Sequence, residues 1–216
     1  RTRRGLQITG SNNHRILLDN GEWCRLDALA IGSKVKISGG AGLWPTQETS
    51  ADTHTIENPN PKQQNIPESI LHAPVQTVRT FLQKLFDIEG YSTEHGLFFS
   101  VSSERMSEQV QLLLMNDNIL SSRTHKEDGL WYLHLCGASA KKFLDQIGFG
   151  LARKQIALQE YIQTHADFEA ENWDDEIVSL EHGCADVYDI SVRDTHRYAA
   201  CGFINHNSFW HSKILT

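Results

Sequence analysis

The stretch GFINHNS, residues 202–208, begins as a short apolar strand and stops at three polar side chains. Asparagine beside a hydroxyl residue is common in turns, so the stretch can simply be the end of a strand. His206, Asn207 and Ser208 can also form a reaction centre, because they place an imidazole, a side-chain amide and a hydroxyl side by side. The surrounding sequence decides between these two interpretations.

Both ends of the chain are predicted to be rich in β-strands. Near the start, residues 6–9 and 34–37 are strand-like, and Asp19-Asn20-Gly21 is a hairpin signal between them. Strand-like runs recur late in the chain, at residues 177–180, 187–192, 196–200 and 203–204. The acidic stretch 167–176 that precedes them is typical of a solvated connector. The simplest topology is one β domain whose two halves are separated in sequence.

The middle of the chain has a different pattern. Residues 38–73 hold four of the five prolines and lack periodicity, which predicts a linker. From Val75 the apolar residues recur at helical spacing, and Ser103 is a candidate cap for a second helix. The elements predicted after the first helix are strand 97–101, strands 119–126 and 130–136, and helices 139–147 and 151–163. This order is that of an inserted α+β unit.

Composition limits the possible classes of protein. The 216 residues carry a formal charge of −7 and are 39% hydrophobic, which allows a packed core and argues against a generally basic nucleic-acid coat. No apolar run reaches the roughly 20 residues of a membrane span, and the start shows no export signal, so we expect a cytoplasmic protein without membrane contact. The four cysteines lack a C-x-x-C pair and are expected to be reduced; Cys201 is expected to be a small buried hydrophobe.

Three terminal segments resemble the motif blocks of inteins, the elements that excise themselves from a host protein. Residues 8–17 resemble the block with a hydroxyl residue three positions before a histidine, residues 186–200 resemble the block before the downstream junction, and residues 202–208 resemble that junction. Their order and spacing agree with the family over about residues 6–37 and 173–208. The resemblance implies a mainly β Hint (horseshoe) splicing domain.

The resemblance assigns roles at the downstream junction. Asn207 would close a succinimide ring onto its own main-chain carbonyl and release Ser208, whose hydroxyl would first accept the upstream acyl group. His206 and His196 are the candidates to protonate the leaving amine. Splicing of this kind needs no cofactor.

Further roles are implied at the upstream junction. His14 would polarise the upstream scissile peptide, and Ser11 stands where the family usually has threonine. Asp189 matches a position that assists the branched intermediate. Inteins begin with a cysteine or serine nucleophile some tens of residues before this histidine, and the chain starts only thirteen positions before His14. We therefore expect an N-terminally truncated intein, whose partners are the missing N-terminal intein segment, on the same or a separate polypeptide, and the flanking host protein.

The middle unit resembles a LAGLIDADG (DOD-type) homing endonuclease domain. The stretch LQKLFDIEG, residues 82–90, matches the nine-residue motif, with Lys84 in place of its usual glycine. In the family the acidic residue before the final glycine holds the metal, which implies that Glu89, with Asp87 beside it, would bind Mg²⁺ and cleave double-stranded DNA. Only one motif is visible, and residues 74–163 carry nine basic and ten acidic residues. A DNA-binding module without catalysis is therefore the alternative.

These expectations combine into one organisation of the chain. The Hint splicing domain is predicted in two portions, residues 1–37 and 164–207. The linker 38–73 leads into the single-motif endonuclease domain 74–163. Residues 208–216 are predicted to belong to the host protein, as its C-extein.

Overall fold

The computed structural model describes residues 1–40, 42, 44–45, 53–165, 168, 171–184, 186, 192 and 195–206. The chain divides into two compact units. The terminal unit combines residues 1–38 with residues 172–216, and the middle unit spans residues 39–171. In the described part of the chain, no helix is long and apolar enough to cross a membrane.

Strands and helices alternate along the chain. The strands, in chain order, are β1 (Arg15–Leu17), β2 (Trp23–Arg25), β3 (Lys34–Lys36), β4 (Gly90–Thr93), β5 (Gly96–Val101), β6 (Ser122–His125), β7 (Trp131–Leu135), β8 (Asp174–Glu176), β9 (Arg197–Ala200) and β10 (Phe203–His206). The helices are α1 (Thr53–Glu57), α2 (Glu68–Leu71), α3 (Val75–Glu89), α4 (Glu104–Asn116), α5 (Gly137–Gln146) and α6 (Ala152–Thr164).

The main sheet of the terminal unit joins the two ends of the chain. Its strand order is β2-β1-β10-β9, and every neighbouring pair is antiparallel. The hairpin predicted at Asp19-Asn20-Gly21 is confirmed, since β1 pairs with β2 around it. Ile16 and Phe203 from the two central strands are fully buried and form part of the core of this unit. Alternation along the strands therefore buries one face of the sheet.

A second, two-stranded sheet corrects two predictions. Asp174–Glu176, expected in a solvated connector, form β8 and pair with β3, and Asp175 is only 6% exposed. The charges opposite explain this, because Lys36 Nζ lies 2.7 Å from Asp174 Oδ1 and Arg4 N donates to Asp175 Oδ2 at 3.1 Å. The strand predicted at 177–180 is therefore wrong in position, and only Ile177 makes a bridge.

The strand predicted at residues 6–9 is also wrong. Gly5 has a φ of 85° and turns the chain, so that Leu6 N donates to Thr2 Oγ1 at 3.1 Å. Leu6 is buried through this turn and not through sheet pairing. The strand predicted at 187–192 lies outside the described residues except for Val192.

The middle unit packs its helices against a four-stranded antiparallel sheet of order β4-β5-β7-β6. Helix α3 is confirmed, and its apolar side is buried, with the Phe86 ring 4.7 Å from Phe99 and 4.6 Å from Phe143. The cap at Ser103 is confirmed as well, because its Oγ accepts from Met106 N at 3.1 Å. Strands β5, β6 and β7 and helices α5 and α6 lie at or near their predicted positions. The mixed α and β character of this unit is thus as predicted.

The predicted linker 38–73 is wrong over its second half. Helices α1 and α2 form within it, and Ile66 and Ile70 are fully buried in the core of the middle unit. The prolines have a different effect from the one expected, because Pro67 and Pro74 stand directly before the first turns of α2 and α3. A proline-rich stretch here starts helices and does not separate domains.

Candidate functional site

His14 is held by its backbone on both sides. Its N–H donates to Ser11 O at 2.9 Å and closes a turn, and its carbonyl accepts from Leu26 N at 2.8 Å. Ser11 Oγ donates to Asn13 Oδ1 at 2.7 Å, so the hydroxyl that the motif predicts points within its own turn. The histidine therefore sits in a fixed position immediately before β1.

Asn205 is the partner of the His14 side chain. His14 Nε2 and Asn205 Oδ1 are 2.8 Å apart, and Asn205 is completely buried on β10. Its Nδ2 donates to Phe203 O at 3.0 Å and to Ala200 O at 3.3 Å. The terminal motifs do not predict this residue. The signal that could have found it is a polar side chain at an inward position of an apolar strand.

His206 lies on the other side of the same sheet. Neighbouring residues of a strand point to opposite faces, so His206 and Asn205 are separated by the sheet. The His206 ring meets Trp23 edge to face, with centroids 4.8 Å apart and an angle of 79°. In register, His206 lies between Arg15 on one side and Arg197 on the other. The structure therefore groups His14 with Asn205, and His206 with a row of cations.

His196 is exposed and stands directly before β9. Its φ of 50° is in the left-handed region, which is uncommon for a residue with a side chain and occurs often at functional sites. Because Arg197 pairs with His206, this histidine is at the end of the hairpin where β10 finishes. Asp189, Asn207 and Ser208 lie outside the described residues, so the described site ends at His206.

Cys201 corrects a further expectation, because it is exposed and not buried. Cys201 and Gly202 form the two-residue loop between β9 and β10, with φ values of 53° and 83°. Two successive positive φ values are typical of a type I′ hairpin turn, which directs its side chains to solvent. All four cysteines are described and none forms a disulfide, as predicted.

A cavity of about 810 Å³ opens in the terminal unit beside Ser11. Its apolar wall includes Ile16, Leu29 and Phe203, and its far side is lined by the loop 179–184. The cavity therefore lies on the inner side of the same sheet that carries Asn205.

In the middle unit, Asp87 closes the start of α6. Its carboxylate accepts from Gly150 N at 3.0 and 3.2 Å and from Leu151 N at 3.1 Å. These N–H groups precede the helix and have no partner within it, so the carboxylate acts as a cap from another element. A side chain at Gly150 would meet Asp87 Oδ2 at 2.6 Å, which explains the glycine.

Lys154 makes the reciprocal contact at the end of α3. Its Nζ donates to Asp87 O at 2.8 Å and to Gly90 O at 2.5 Å, which are carbonyls at the C-terminal end of the motif helix. Burial lowers the pKa of Lys154, and the nearby carboxylates of Asp87 and Glu89 oppose that shift. A protein ammonium group therefore already stands at the end of α3.

Glu89 is the residue at which the motif predicts Mg²⁺. It is half-buried next to Lys154, while the oxygens of Asp87 are used by backbone N–H groups. Across the described ranges, no group of three or more histidine, cysteine, aspartate or glutamate side chains could hold a metal. Since Mg²⁺ requires near-octahedral oxygen coordination, Glu89 with these neighbours does not fit the ion by itself. The Mg²⁺ site stays a prediction.

The outer face of the four-stranded sheet is aromatic and nearly uncharged. Tyr91, Phe98 and His134 stack across three strands, with centroid distances of 5.5 and 4.4 Å. Beside them, Lys126 Nζ lies 4.1 Å from the Tyr132 ring centroid. Arg123, the arginine of β6, points inward and is 2% exposed. This face can stack against a partner, but it offers little charge to phosphate groups.

Comparison with known proteins identifies the middle unit. Residues 76–148 match the family described as LAGLIDADG-like domain. The chain is 30% identical to a DNA polymerase of Thermococcus hydrothermalis over 66% of its own length and 10% of the polymerase. It is 27% identical to a DNA gyrase of Mycobacterium leprae, covering 45% of the chain and 8% of the gyrase. It is 29% identical to the replication factor C small subunit of Methanocaldococcus jannaschii, covering 45% of the chain and 6% of that protein.

The chain thus spans a tenth or less of the length of these relatives. The matched family coincides with α3, which carries the LQKLFDIEG motif, and with the sheet and helices that follow it. The chain therefore contains a LAGLIDADG-like domain over residues 76–148, and together with its terminal motifs it is consistent with an intein that carries a homing endonuclease domain.

Proposed function

We propose that the chain is a protein-splicing element of the Hint type, divided in sequence by its LAGLIDADG-like domain. The pairing of β1 with β10 carries this proposal, because it joins the segment of His14 to the strand that leads to Asn207. A splicing domain must act on both junctions of one polypeptide, and a sheet that unites the two ends supports that. The sequence separation of these strands fits a β domain interrupted by an insertion.

The proposed reaction at the downstream junction uses only protein groups. The Asn207 side-chain nitrogen attacks the main-chain carbonyl carbon of Asn207 and loses a proton, and the C–N bond to Ser208 breaks. The leaving nitrogen takes up a proton from His206 or His196, leaving a succinimide and a free amine. Holding the reacting atoms in place contributes up to about 7–11 kcal/mol in intramolecular reactions. General acid help contributes on the order of 10²–10⁴-fold.

Complete splicing needs further groups. Ser208 would accept the upstream acyl group as an ester before Asn207 cyclises, and Asp189 would assist this branched intermediate. The first nucleophile would come from an N-terminal intein segment, on the same or another polypeptide. The flanking host protein supplies both ends that are joined.

The relatives also support an inserted element. Three proteins with unrelated names, a polymerase, a gyrase and a replication factor, each match the chain over a tenth or less of their length. A segment shared by otherwise different proteins is what an element that moves between host genes would produce. The LAGLIDADG-like domain fits the same proposal, since homing is the activity that the resemblance implies.

The test is release of the downstream peptide. The purified chain, supplied with its upstream segment, is expected to release residues 208–216, detected by mass spectrometry. Asn207→Ala should abolish the release, whereas Asn60→Ala, at an exposed asparagine of the middle unit, should not. Release that persists in Asn207→Ala, or no release from the unaltered chain, contradicts the proposal.

A second function, DNA binding by the LAGLIDADG-like domain, is favoured by the family match over residues 76–148. The chain is incubated with duplex DNA of the uninterrupted host gene at several salt concentrations, with and without added Mg²⁺. Cutting that Glu89→Gln abolishes supports an endonuclease. Binding without cutting supports the non-catalytic module, and absence of binding at every salt concentration contradicts both.

A further inference from the structure

Asn205 is an unusual residue for its place in the fold. It lies on the central strand β10, two residues before Asn207, and its side chain is completely buried. A buried amide is costly unless its oxygen and nitrogen both find partners. Each does, and the identity of these partners determines the chemistry of His14.

The orientation of the Asn205 amide is fixed by the backbone. Its nitrogen faces two carbonyl oxygens, Phe203 O at 3.0 Å and Ala200 O at 3.3 Å. The reverse orientation would set the amide oxygen against these two acceptors, which is unfavourable. The oxygen of Asn205 must therefore face His14.

This orientation determines the tautomer of His14. Asn205 Oδ1 can only accept, so His14 Nε2, 2.8 Å away, must carry the proton and donate it. The other ring nitrogen, Nδ1, then has a lone pair in the neutral ring and an N–H in the charged ring. Within the described part of the chain, the hydrogen bond of the His14 ring is made through Nε2 and not through Nδ1.

We propose that Asn205 is a positioning residue that holds His14 in the Nε2–H tautomer and leaves Nδ1 to serve the upstream peptide bond. The proposal rests on the splicing function proposed above. It also links the two junctions, because the strand that positions His14 is the strand that continues into Asn207. A change in β10 is then felt at the upstream histidine through one hydrogen bond.

The first test is spectroscopic and does not depend on splicing. The full chain with ¹⁵N-labelled histidine is examined by NMR, and His14 is assigned from the signals lost in His14→Gln. We expect a protonated, slowly exchanging Nε2 and an unprotonated Nδ1 at neutral ring charge. Asn205→Leu, which removes the acceptor at similar volume, should abolish this slow exchange and let both tautomers appear.

Two further variants control for folding. Ile204→Ala weakens packing of the same strand on its opposite face and should leave the His14 signals unchanged. If Asn205→Leu does not fold, Asn205→Asp replaces it, because a carboxyl group keeps the Oδ1 acceptor and should retain the Nε2–H signal. An Nδ1–H tautomer in the unaltered chain, or unchanged His14 signals in folded Asn205→Leu, would overturn the proposal.

The second test measures the upstream step in a precursor that includes the upstream junction, as cleavage by added hydroxylamine. We expect Asn205→Leu to slow this cleavage about tenfold, and His14→Ala to slow it by more, within about 10²–10⁴-fold. His14→Gln, whose amide can still donate to Asn205, should fold but lose the step with His14→Ala, because it lacks Nδ1. Upstream cleavage at full rate in Asn205→Leu overturns the positioning role.

The two tests separate the proposals. If the unaltered precursor does not cleave while His14 shows the expected tautomer, the splicing function fails and the His14–Asn205 contact stands. If the precursor cleaves but the tautomer is wrong, only the inference about Asn205 fails.

Discussion

At the scale of single residues, Asp87 and Lys154 exchange contacts between two helices. Asp87 caps the start of α6, and Lys154, in the first turn of α6, caps the end of α3. Both contacts place a charge where the helix dipole favours it. The motif position that the resemblance assigns to the endonuclease is thus also a structural joint, which Glu89 does not share.

Asp87→Ala is expected to lower the free energy of unfolding of the middle unit by about 1–2 kcal/mol, because the N–H groups of Gly150 and Leu151 lose their acceptor. Urea unfolding followed by circular dichroism measures the change. The matched control is Glu89→Ala, for which we expect a change within about 0.5 kcal/mol. Equal losses in the two variants would contradict the capping role of Asp87.

Tyr132 and Asp128 form a pair with a defined pH response. Tyr132 Oη donates to Asp128 Oδ2 at 2.7 Å, which raises the pKa of Tyr132 to about 12 from 10.0 and lowers the pKa of Asp128 from 3.8. The tyrosine contribution to stability is therefore present below pH 10 and is lost as the pH rises towards 12. The aspartate contribution is present above pH 3.8 and is lost as the pH falls through its lower folded pKa.

Asp128→Asn should return the pKa of Tyr132 towards 10. The ultraviolet absorbance of phenolate is titrated in the unaltered chain and in this variant, and Tyr132→Phe identifies the signal among the five tyrosines. A Tyr132 titration that is the same with and without the Asp128 carboxylate would contradict the pairing.

At the scale of elements, the hairpin β9–β10 depends on its two-residue loop. Cys201 and Gly202 both have positive φ, and the turn sets the register that pairs Arg197 with His206. The conformation of this loop therefore determines where the last strand presents His206. The loop is thus a small element with a large effect on the site.

Gly202→Ala should destabilise the terminal unit by about 1–2 kcal/mol, because a side chain at a φ of 83° is strained. Cys201→Asn should be neutral or slightly stabilising, since asparagine tolerates this region and is preferred in type I′ turns. Thermal unfolding of both variants measures the effect. A larger loss for Cys201→Asn than for Gly202→Ala would rule out this turn type.

At the scale of the whole molecule, local signals predicted more than long-range ones. The helical period from Val75, the cap at Ser103 and the Asp19-Asn20-Gly21 turn could be predicted because each involves neighbours in sequence. The strand at Asp174–Glu176 could not, because its charges are compensated by β3, far away in the chain. For the same reason the contact of Asn205 with His14, 191 positions apart, required the fold.

The terminal unit should fold without the middle unit. Its sheet is built entirely from strands of residues 1–38 and 172–206, and the middle unit has its own core. Ile37 N donates to Trp173 O at 2.9 Å, so the two ends left by removing residues 39–171 lie close together. A short glycine-serine linker can join them, because closing a short loop costs little conformational entropy.

We expect the joined chain to unfold cooperatively and to keep the protected His14 Nε2 proton, since β1 and β10 still pair. Circular dichroism and histidine NMR test this against the full chain. A second deletion, which also removes β9 and β10, is the control and should abolish both signals, because β1 then loses the strand that supplies Asn205. An unfolded joined chain would show that the middle unit is needed to bring the two ends together, which would argue against an independent splicing domain carrying an insertion.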